Sequence, residues 1–450
     1  MPAPGAESVS DRPPAAVVLA AGLGTRMRSA TPKHLHPLLG RRLVDWVIEA
    51  VRPLEPRPLV VVTAPGHEDA FEGVEVAVQS KPRGTGDAAE AARPQLGGFG
   101  GDLLVVSGDA ATITTETLER LLETHSREHA AATVLSFDRA DPGDYGRVVR
   151  NADGSLEAIV EAGDATPEQL AITEINSSIY VFDAAKLWPA LEQLAPENRQ
   201  GELYLTDTIR ELVAAGERVA VYEDDDPAEV GVNTRAELAA TAAVLRDRIN
   251  EAHMLAGATI VDPATTWIEP SVELEADSII HPFTMLRGET RVAEGAEIGP
   301  HAVVDGAVVG PQALVGPFCY LRPGTVLEAG AKAGTFVEVK NSRLGAGVKA
   351  SHQSYIGDAD IGEGTNIGAG NITANFPHKE GEPKGRTVIG RNVRTGVHNS
   401  FVAPVEIGDD AWIGAGSVIT EDVPPEALAV ARQRQENKEG YVRKRREGDE

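Results

Sequence analysis

Residues Val309 to Val339 read VGPQALVGPFCYLRPGTVLEAGAKAGTFVEV, and within them Val309, Val315, Leu321, Leu327, Ala333 and Val339 fall six apart. The same spacing links Leu344, Ala350 and Ile356, then Ile361 and Ile367, and later Ile389, Thr395, Phe401, Ile407, Ile413 and Ile419. Glycine often comes next, as in Val309-Gly310, Ile356-Gly357 and Ile407-Gly408. An apolar residue every six positions stacks into an inward ladder if the chain winds as a prism of short strands and tight corners, and the glycines suit those corners. The chain beyond Ile260 therefore reads as a parallel β-helix. Such a coil can be a scaffold as readily as an enzyme.

Upstream the texture differs. Short β-branched runs (Val17 to Leu19, Leu59 to Thr63, Leu103 to Ser107, Ala131 to Ser136) alternate with helix-like stretches such as Leu43 to Val51 and Thr115 to Glu123. That alternation predicts βαβ units on a mostly parallel sheet. Between the halves, Thr234 to Leu255 is rich in Ala, Leu, Arg and Glu without Gly or Pro, and Thr234 or Asn233 can cap it as one long helix.

The 450 residues suffice for two or three domains, and 42% apolar content is ordinary for a globular chain. A net charge of −26 repels polyanions and argues against nucleic acid as a partner. Cys319 is the only cysteine, which rules out an intrachain disulfide and fits a reducing, cytoplasmic compartment. No apolar run approaches the roughly 20 residues of a membrane span. The stretches before Ala15 and after Arg432 read as tails.

The run LAAGLGTRM, Leu19 to Met27, follows the first strand. It fails the dinucleotide pattern G-x-G-x-x-G at Met27 and lacks a Walker lysine. What remains is a tight glycine turn with Arg26 and, behind Pro32, Lys33. Backbone N–H groups at Gly22 and Gly24 can approach a phosphate chain while Arg26 and Lys33 neutralise charge on departing phosphates, which favours nucleotidyl transfer over hydride transfer. Downstream, Gly316 to Gly357 carries Arg322, Lys332, Lys340, Arg343 and Lys349 against Glu328 and Glu338, a basic island in an acidic chain.

L-A-A-G-x-G-T-R-M followed by P-K resembles the signature of sugar-1-phosphate nucleotidyltransferases. Joined to a hexapeptide β-helix, it is similar to the bacterial family of bifunctional N-acetylglucosamine-1-phosphate uridylyltransferases and glucosamine-1-phosphate N-acetyltransferases, over nearly the whole chain. The resemblance implies an α/β protein with an N-terminal Rossmann-like nucleotidyltransferase domain, a long linker helix and a C-terminal left-handed parallel β-helix. The corresponding boundaries are 1–14 for a disordered tail, 15–233, 234–256 and 257–432 for the three parts, and 433–450 for a charged tail.

By that resemblance Leu19, Ala20, Ala21 and Gly22 hug the uridine nucleotide and Lys33 contacts its phosphates. Gln79, Gly84 and Thr85 in VQSKPRGTGDA read the uracil, and Ser107 and Gly108 precede Asp109 in LLVVSGDA. Asp109 and Asn233 are implied to hold Mg²⁺, for which hard oxygen ligands are suited. Gly146, Glu161 and Asn176 match the acetamido-sugar pocket. The reaction implied is attack of a sugar phosphate on UTP with loss of pyrophosphate.

The second half matches through YLRPG, FVEVK, ASHQSYIGDADIG, NIGAGNITANF and ARQRQENKEGY. Arg322 and Lys340 are implied to bind the phosphate of the amino sugar, with Tyr355 and Asn366 positioning its ring. His352 would be the general base, as an imidazole suits deprotonation of an attacking amine. Ala369, Asn375, Phe376, Ala415 and Arg432 would contact acetyl-CoA. The family also implies a homotrimer whose site is shared between neighbouring copies.

Several positions depart from the family pattern. An aromatic residue is common where Ser107 stands, Tyr where Phe376 stands and a small polar residue where Val397 stands. The loop PHKEGEPKGRT is longer than usual, leaving Lys379 and Lys384 as rivals for one role. The reading expected is the bifunctional enzyme. The rivals are a single-activity nucleotidyltransferase whose β-helix is a trimerisation scaffold or serves another amino sugar, and a non-catalytic relative.

Overall fold

A computed structural model describes residues 13–22, 24–225, 231–377 and 381–447. The chain divides into two compact units between Leu245 and Arg246. The first is built on a sheet whose order, edge to edge, is Val219–Asp224, Ala132–Asp138, Glu174–Asp183, Asp102–Ser107, Ala15–Ala20, Leu59–Thr63 and Glu75–Val78. A hairpin, Arg147–Arg150 with Leu156–Val160, is attached through Glu174–Asp183. Strands on either side of Ala15–Ala20 run parallel to it. Glu174–Asp183 alone of these seven runs antiparallel to both neighbours, so the sheet is mostly parallel with one reversed strand.

Val17, Val60, Val105 and Val134 belong to the core on one face, and Val18, Val61, Val106 and Leu135 to the core on the other. That alternation follows from the two-residue period of a strand. The helix Leu43–Val51 buries Leu43, Val44, Val47, Ile48 and Val51, one face of a 3.6-residue turn, and turns Glu49 to solvent.

The helix Arg235–Leu255 begins where the sequence predicts. Thr234 Oγ1 accepts from Glu237 N–H at 3.2 Å, and Glu237 Oε2 accepts from the N–H groups of Asn233 and Thr234 at 2.7 and 2.8 Å. This capping box satisfies helix-end donors with Thr234 and Glu237 and leaves the Asn233 side chain free for another role.

The second unit winds as a left-handed β-helix with three parallel faces of 10, 9 and 8 strands. All seventeen hexad positions named above are buried, none more than 6% exposed. Ile280 pairs with Ile298, then Val315, Ala333, Ala350 and Ile367, so one coil spans three hexads, sometimes less a residue. The coil carrying the long loop is the exception, since Asn366 pairs with Arg394.

The glycines after inward residues do more than suit corners. A Cβ on Gly310 would lie 2.7 Å from the Leu327 carbonyl oxygen, and one on Gly345 would lie 2.9 Å from that of Ile361. Neighbouring coils, about 4.8 Å apart, leave no room there for a side chain. At the corner between the first and second faces the left-handed residues are instead Phe283, His301, Phe318 and Phe336, with φ of 59°, 56°, 53° and 59°. Their rings stack at centroid spacings of 4.7, 4.8 and 5.4 Å.

Cys319 lies inside this coil, its thiol donating to the Val337 carbonyl at 3.0 Å. Burial pushes its pKa up to about 12, so almost no thiolate exists at pH 8. Native protein is expected to leave a disulfide reagent such as Ellman's unreacted, and denatured protein to consume one equivalent. Rapid reaction of the native chain would show that the coil opens there.

The N-terminal tail expected over 1–14 falls almost wholly outside the described residues. Near the other end, Tyr441–Glu447 is a helix rather than a structureless tail, with residues 441–446 exposed.

Candidate active sites

In the first unit the chain turns at the carboxyl ends of Ala15–Ala20 and Asp102–Ser107 line a cavity of about 530 Å³. Open α/β sheets place ligands at such ends, and the volume suits a small molecule. Fourteen of the sixteen residues expected at this site line it: Leu19, Ala21, Gly22, Arg26, Lys33, Gln79, Gly84, Thr85, Ser107, Asp109, Gly146, Glu161, Asn176 and Asn233. Ala20 and Gly108 do not. Ala20 faces a separate pocket of about 220 Å³ with Thr63 and Phe71. Gly108 sits behind the wall, where a Cβ would meet the Leu19 carbonyl oxygen at 2.8 Å and His34 Cδ2 at 3.2 Å.

Lys33, in the short helical turn Lys33–Leu35, sends its ammonium to the floor of the cavity, where it pairs with Asp109 Oδ2 and donates to Asn233 Oδ1 at 3.2 Å. Ser107 Oγ donates to the other Asp109 oxygen at 2.6 Å. Burial works to raise the Asp109 pKa, but the Lys33 charge, with His34 and Ser107, holds it below the ordinary carboxylate value. Two hard oxygens from distant parts of the chain thus converge on the Lys33 ammonium.

Around this floor the polar groups are already oriented. Gln79 Nε2 donates to the Gly84 carbonyl at 2.9 Å and to Asp87 at 3.0 Å, fixing its amide at the cavity edge. Gly84, at φ 109°, packs against the Leu203 backbone, while Thr85 Oγ1 accepts from Leu205 N–H at 2.9 Å. Thr206 Oγ1 donates to Glu161 at 3.1 Å, and Asn176 Nδ2 donates to the Tyr180 hydroxyl at 2.7 Å. Burial raises the Glu161 pKa against that Thr206 bond. Arg26 lies at the exposed rim, paired with Asp144 at 3.4 Å.

Sequence reasoning missed His34, Tyr145, Tyr180 and Thr206 on this wall. His34 is 3% exposed with its Nδ1 unpartnered, and burial beside the Lys33 charge lowers its pKa to about 4. Its position directly after Lys33 was the available signal. Tyr145 donates from its hydroxyl to the Gly231 carbonyl at 3.0 Å, a contact between segments far apart in sequence.

On the β-helix the cations of the basic island separate by face. Arg322 follows the strand Tyr320–Leu321, and Lys340 ends Glu338–Lys340 one coil on, both on the second face. Arg322 pairs with Glu338 at 2.9 Å. Lys384 stands beside Lys340, and its charge, followed by that of Arg322, holds the Lys340 ammonium below its ordinary pKa. The Lys384 ammonium also lies 5.9 Å from the Phe376 ring centroid. Of the two rival loop lysines, Lys384 is therefore at the cluster, and Lys379 lies outside the described residues.

Tyr355 belongs to the same face, and a Cβ on Gly357 would collide with its hydroxyl and meet Asn375 Nδ2 at 2.8 Å. The Tyr355 side chain thus reaches toward Asn375 and the lysines. Asn375 in turn donates to Asp358, a buried carboxylate that also accepts from Asn341 Nδ2 at 2.5 Å. Asp358 lies within ASHQSYIGDADIG, where no local pattern marks it as functional.

His352 ends the strand Lys349–His352 on the first face, exposed, with Asn366 on the next coil of that face. Ala369 and Ala415 occupy one corner column with Val397 between them, and Arg432 lies beyond, its Cδ 3.7 Å from where a Gly416 Cβ would be. Within one copy, then, Arg322, Lys340, Tyr355, Asn375, Phe376 and Lys384 gather at one end of the second face, while His352, Asn366 and Ala369 lie at the first.

Residues 16–219 match the family described as a MobA-like NTP transferase domain. Over an aligned span of 463 positions the chain is 47% identical to the bifunctional protein GlmU of Streptomyces avermitilis, covering 97% of this chain and 95% of that protein. The GlmU proteins of Streptomyces coelicolor and Mycolicibacterium vanbaalenii are also 47% identical, over 97% of this chain and 95% and 94% of their own lengths.

Proposed function

We propose, from the premise that this chain belongs to the family of bifunctional GlmU proteins, a division of its two activities between the cavity of the first unit and the side-chain clusters of the β-helix. The protein transfers acetyl from acetyl-CoA to glucosamine 1-phosphate, and uridylyl from UTP to the N-acetylglucosamine 1-phosphate so formed. The product, UDP-N-acetylglucosamine, serves cell-wall synthesis. The convergence of Lys33, Asp109 and Asn233 inside the first cavity is the observation that carries the assignment of uridylyl transfer.

At that cavity a phosphate oxygen of the sugar phosphate attacks the α-phosphorus of UTP. A new P–O bond forms, the bond to the bridging oxygen breaks, and pyrophosphate leaves. Lys33 and Arg26 neutralise the charge that gathers on the departing phosphates, and Gln79 with Thr85 orients the base. Glu161 and Asn176 face the sugar, where Glu161 accepts from a hydroxyl.

Asp109 and Asn233 are the ligands proposed for Mg²⁺, which when bound supplies charge neutralisation at the phosphates. Among the described residues no group of three or more His, Cys, Asp or Glu could hold a metal. Two oxygen ligands suffice for an ion that takes the rest of its shell from water and substrate phosphates.

At the β-helix Arg322, Lys340 and Lys384 hold the phosphate of glucosamine 1-phosphate, and Tyr355 and Asn366 place its ring. His352 takes the proton from the amine, whose nitrogen attacks the thioester carbonyl; the C–S bond breaks and the CoA thiolate leaves. Ala369, Asn375, Phe376, Ala415 and Arg432 line the acetyl-CoA path. Residues 15–233 and 257–432 are the proposed domains, joined by the linker of 234–256. Because His352 and the phosphate-binding cations lie at different faces of one coil, the site is proposed to be completed between copies of a homotrimer. The exposed Phe283, Phe318 and Phe336 offer a second copy an apolar strip. No helix among the described residues is long and apolar enough to cross a membrane, and we place the enzyme in the cytoplasm.

Purified protein is expected to release thiol from acetyl-CoA only when glucosamine 1-phosphate is present, and pyrophosphate from UTP only with N-acetylglucosamine 1-phosphate and Mg²⁺. Pyrophosphate release without any thiol release would leave the β-helix as a scaffold or a transferase for another amino sugar.

A further inference from the structure

On the first face of the β-helix, Asn366 pairs with Arg394 on the next coil, Arg394 with Trp412, and Trp412 with Leu428. These four side chains form one outward row, with rungs about 4.8 Å apart. Trp412 is 58% exposed, alone among the four tryptophans in being exposed. Arg394 is exposed too, and no acidic partner reaches it among the described residues. The neighbouring Arg386 and Arg391, by contrast, are held by Asp360 and Asp409.

An uncommitted guanidinium beside an open indole is uncommon in a chain with 68 acidic and 42 basic residues. An aromatic plane flanked by a cation is the chemistry that receives a nucleobase attached to phosphate. Between this row and the corner column of Ala369, Val397 and Ala415 lie the inward, buried Ile367, Thr395 and Ile413 and then Gly368, Gly396 and Gly414, so no outward side chain separates the two. Arg432 marks the C-terminal end of the same strip. A ligand whose reactive end is near His352 and whose body follows Ala369 and Ala415 therefore reaches Trp412 two coils beyond Asn366.

We infer that Trp412 and Arg394 bind the adenosine 3′-phosphate 5′-diphosphate end of acetyl-CoA, the adenine stacking on Trp412 and Arg394 meeting a phosphate. This rests on the acetyl-CoA path proposed above. The row contributes affinity for the nucleotide end and nothing to the acetyl transfer step itself.

The test uses the full-length protein with Trp412→Ala, Trp412→Phe and Arg394→Ala. Calorimetric titration with coenzyme A is expected to show binding weakened about tenfold by Trp412→Ala, less by Arg394→Ala, and largely retained by Trp412→Phe. In acetyl transfer, the KM for acetyl-CoA rises by a similar factor. With S-acetylpantetheine, which lacks the nucleotide, Trp412→Ala and the unaltered protein have the same kcat/KM. Equal affinity of both proteins for coenzyme A overturns the inference, whether or not acetyl transfer occurs. Equal losses with the truncated donor overturn it as well, and would mean that the row is covered by another copy of the chain and acts through assembly. If the unaltered protein neither binds coenzyme A nor transfers acetyl, the acetyltransferase reading fails first, and this inference with it.

Discussion

Asp109→Asn lowers uridylyl transfer about a thousandfold or more while acetyl transfer by the same preparation is unchanged. The Asp109 side chain is 11% exposed and ion-paired with Lys33, whose side chain is equally enclosed. Its second oxygen accepts from Ser107 at 2.6 Å. The amide has the same shape but no charge, so it binds a divalent cation poorly and leaves the Lys33 ammonium unbalanced. Losing one group that stabilises transition-state charge costs about 10²–10³ in rate. Loss of the metal's neutralising contribution adds to that.

Stability is affected as well, because breaking a buried pair from one side costs about 3–5 kcal/mol. The first unit is therefore expected to melt earlier, and uridylyl transfer must be compared below that temperature. Pyrophosphate release at the unaltered rate would remove Asp109 from the mechanism. Loss of both activities would indicate a folding defect and not a catalytic one.

His352→Ala is expected to lower acetyl transfer by about 10²–10⁴, the range that a positioned general base supplies. Uridylyl transfer from added N-acetylglucosamine 1-phosphate should be unchanged, and so should the melting temperature. His125 makes the contrast. It is buried, bonded through Nδ1 to Thr133 at 2.9 Å and 3.7 Å from Asp102, as a structural histidine is. His352 is exposed at a strand end and has no comparable partner among the described residues, so its removal opens no cavity and orphans no polar group. Full acetyl transfer by the variant would mean that the amine loses its proton to water or another group.

The two halves of the chain differ in how far their architecture is written locally. In a coil each turn contacts only its neighbours, so every hexad carries its own inward residue and the repeat can be read without knowing the rest of the chain. Val309, Leu321 and Ile356 were recognisable for that reason, and all are buried. The corner aromatics were not, because Phe283, His301, Phe318 and Phe336 are 17 or 18 residues apart and meet only once the coil length is set. In the first unit the individual strands were legible, but the antiparallel course of Glu174–Asp183 depends on where the inserted hairpin sends the chain.

The sites follow the same rule. Taken alone, the sequence determined the β-helix, the alternating strands and helices before it, the capped linker helix, and the glycine turn with Arg26 and Lys33, since each is encoded within a few consecutive residues. Only the tertiary structure decided that Lys33 meets Asp109 and Asn233, 76 and 200 positions away, that His34 is enclosed behind them, and that Lys384 joins Lys340. Strand order and loop path bring those groups together, and charge, hydrogen bonding and burial act on distance in space, which no local pattern of residues specifies.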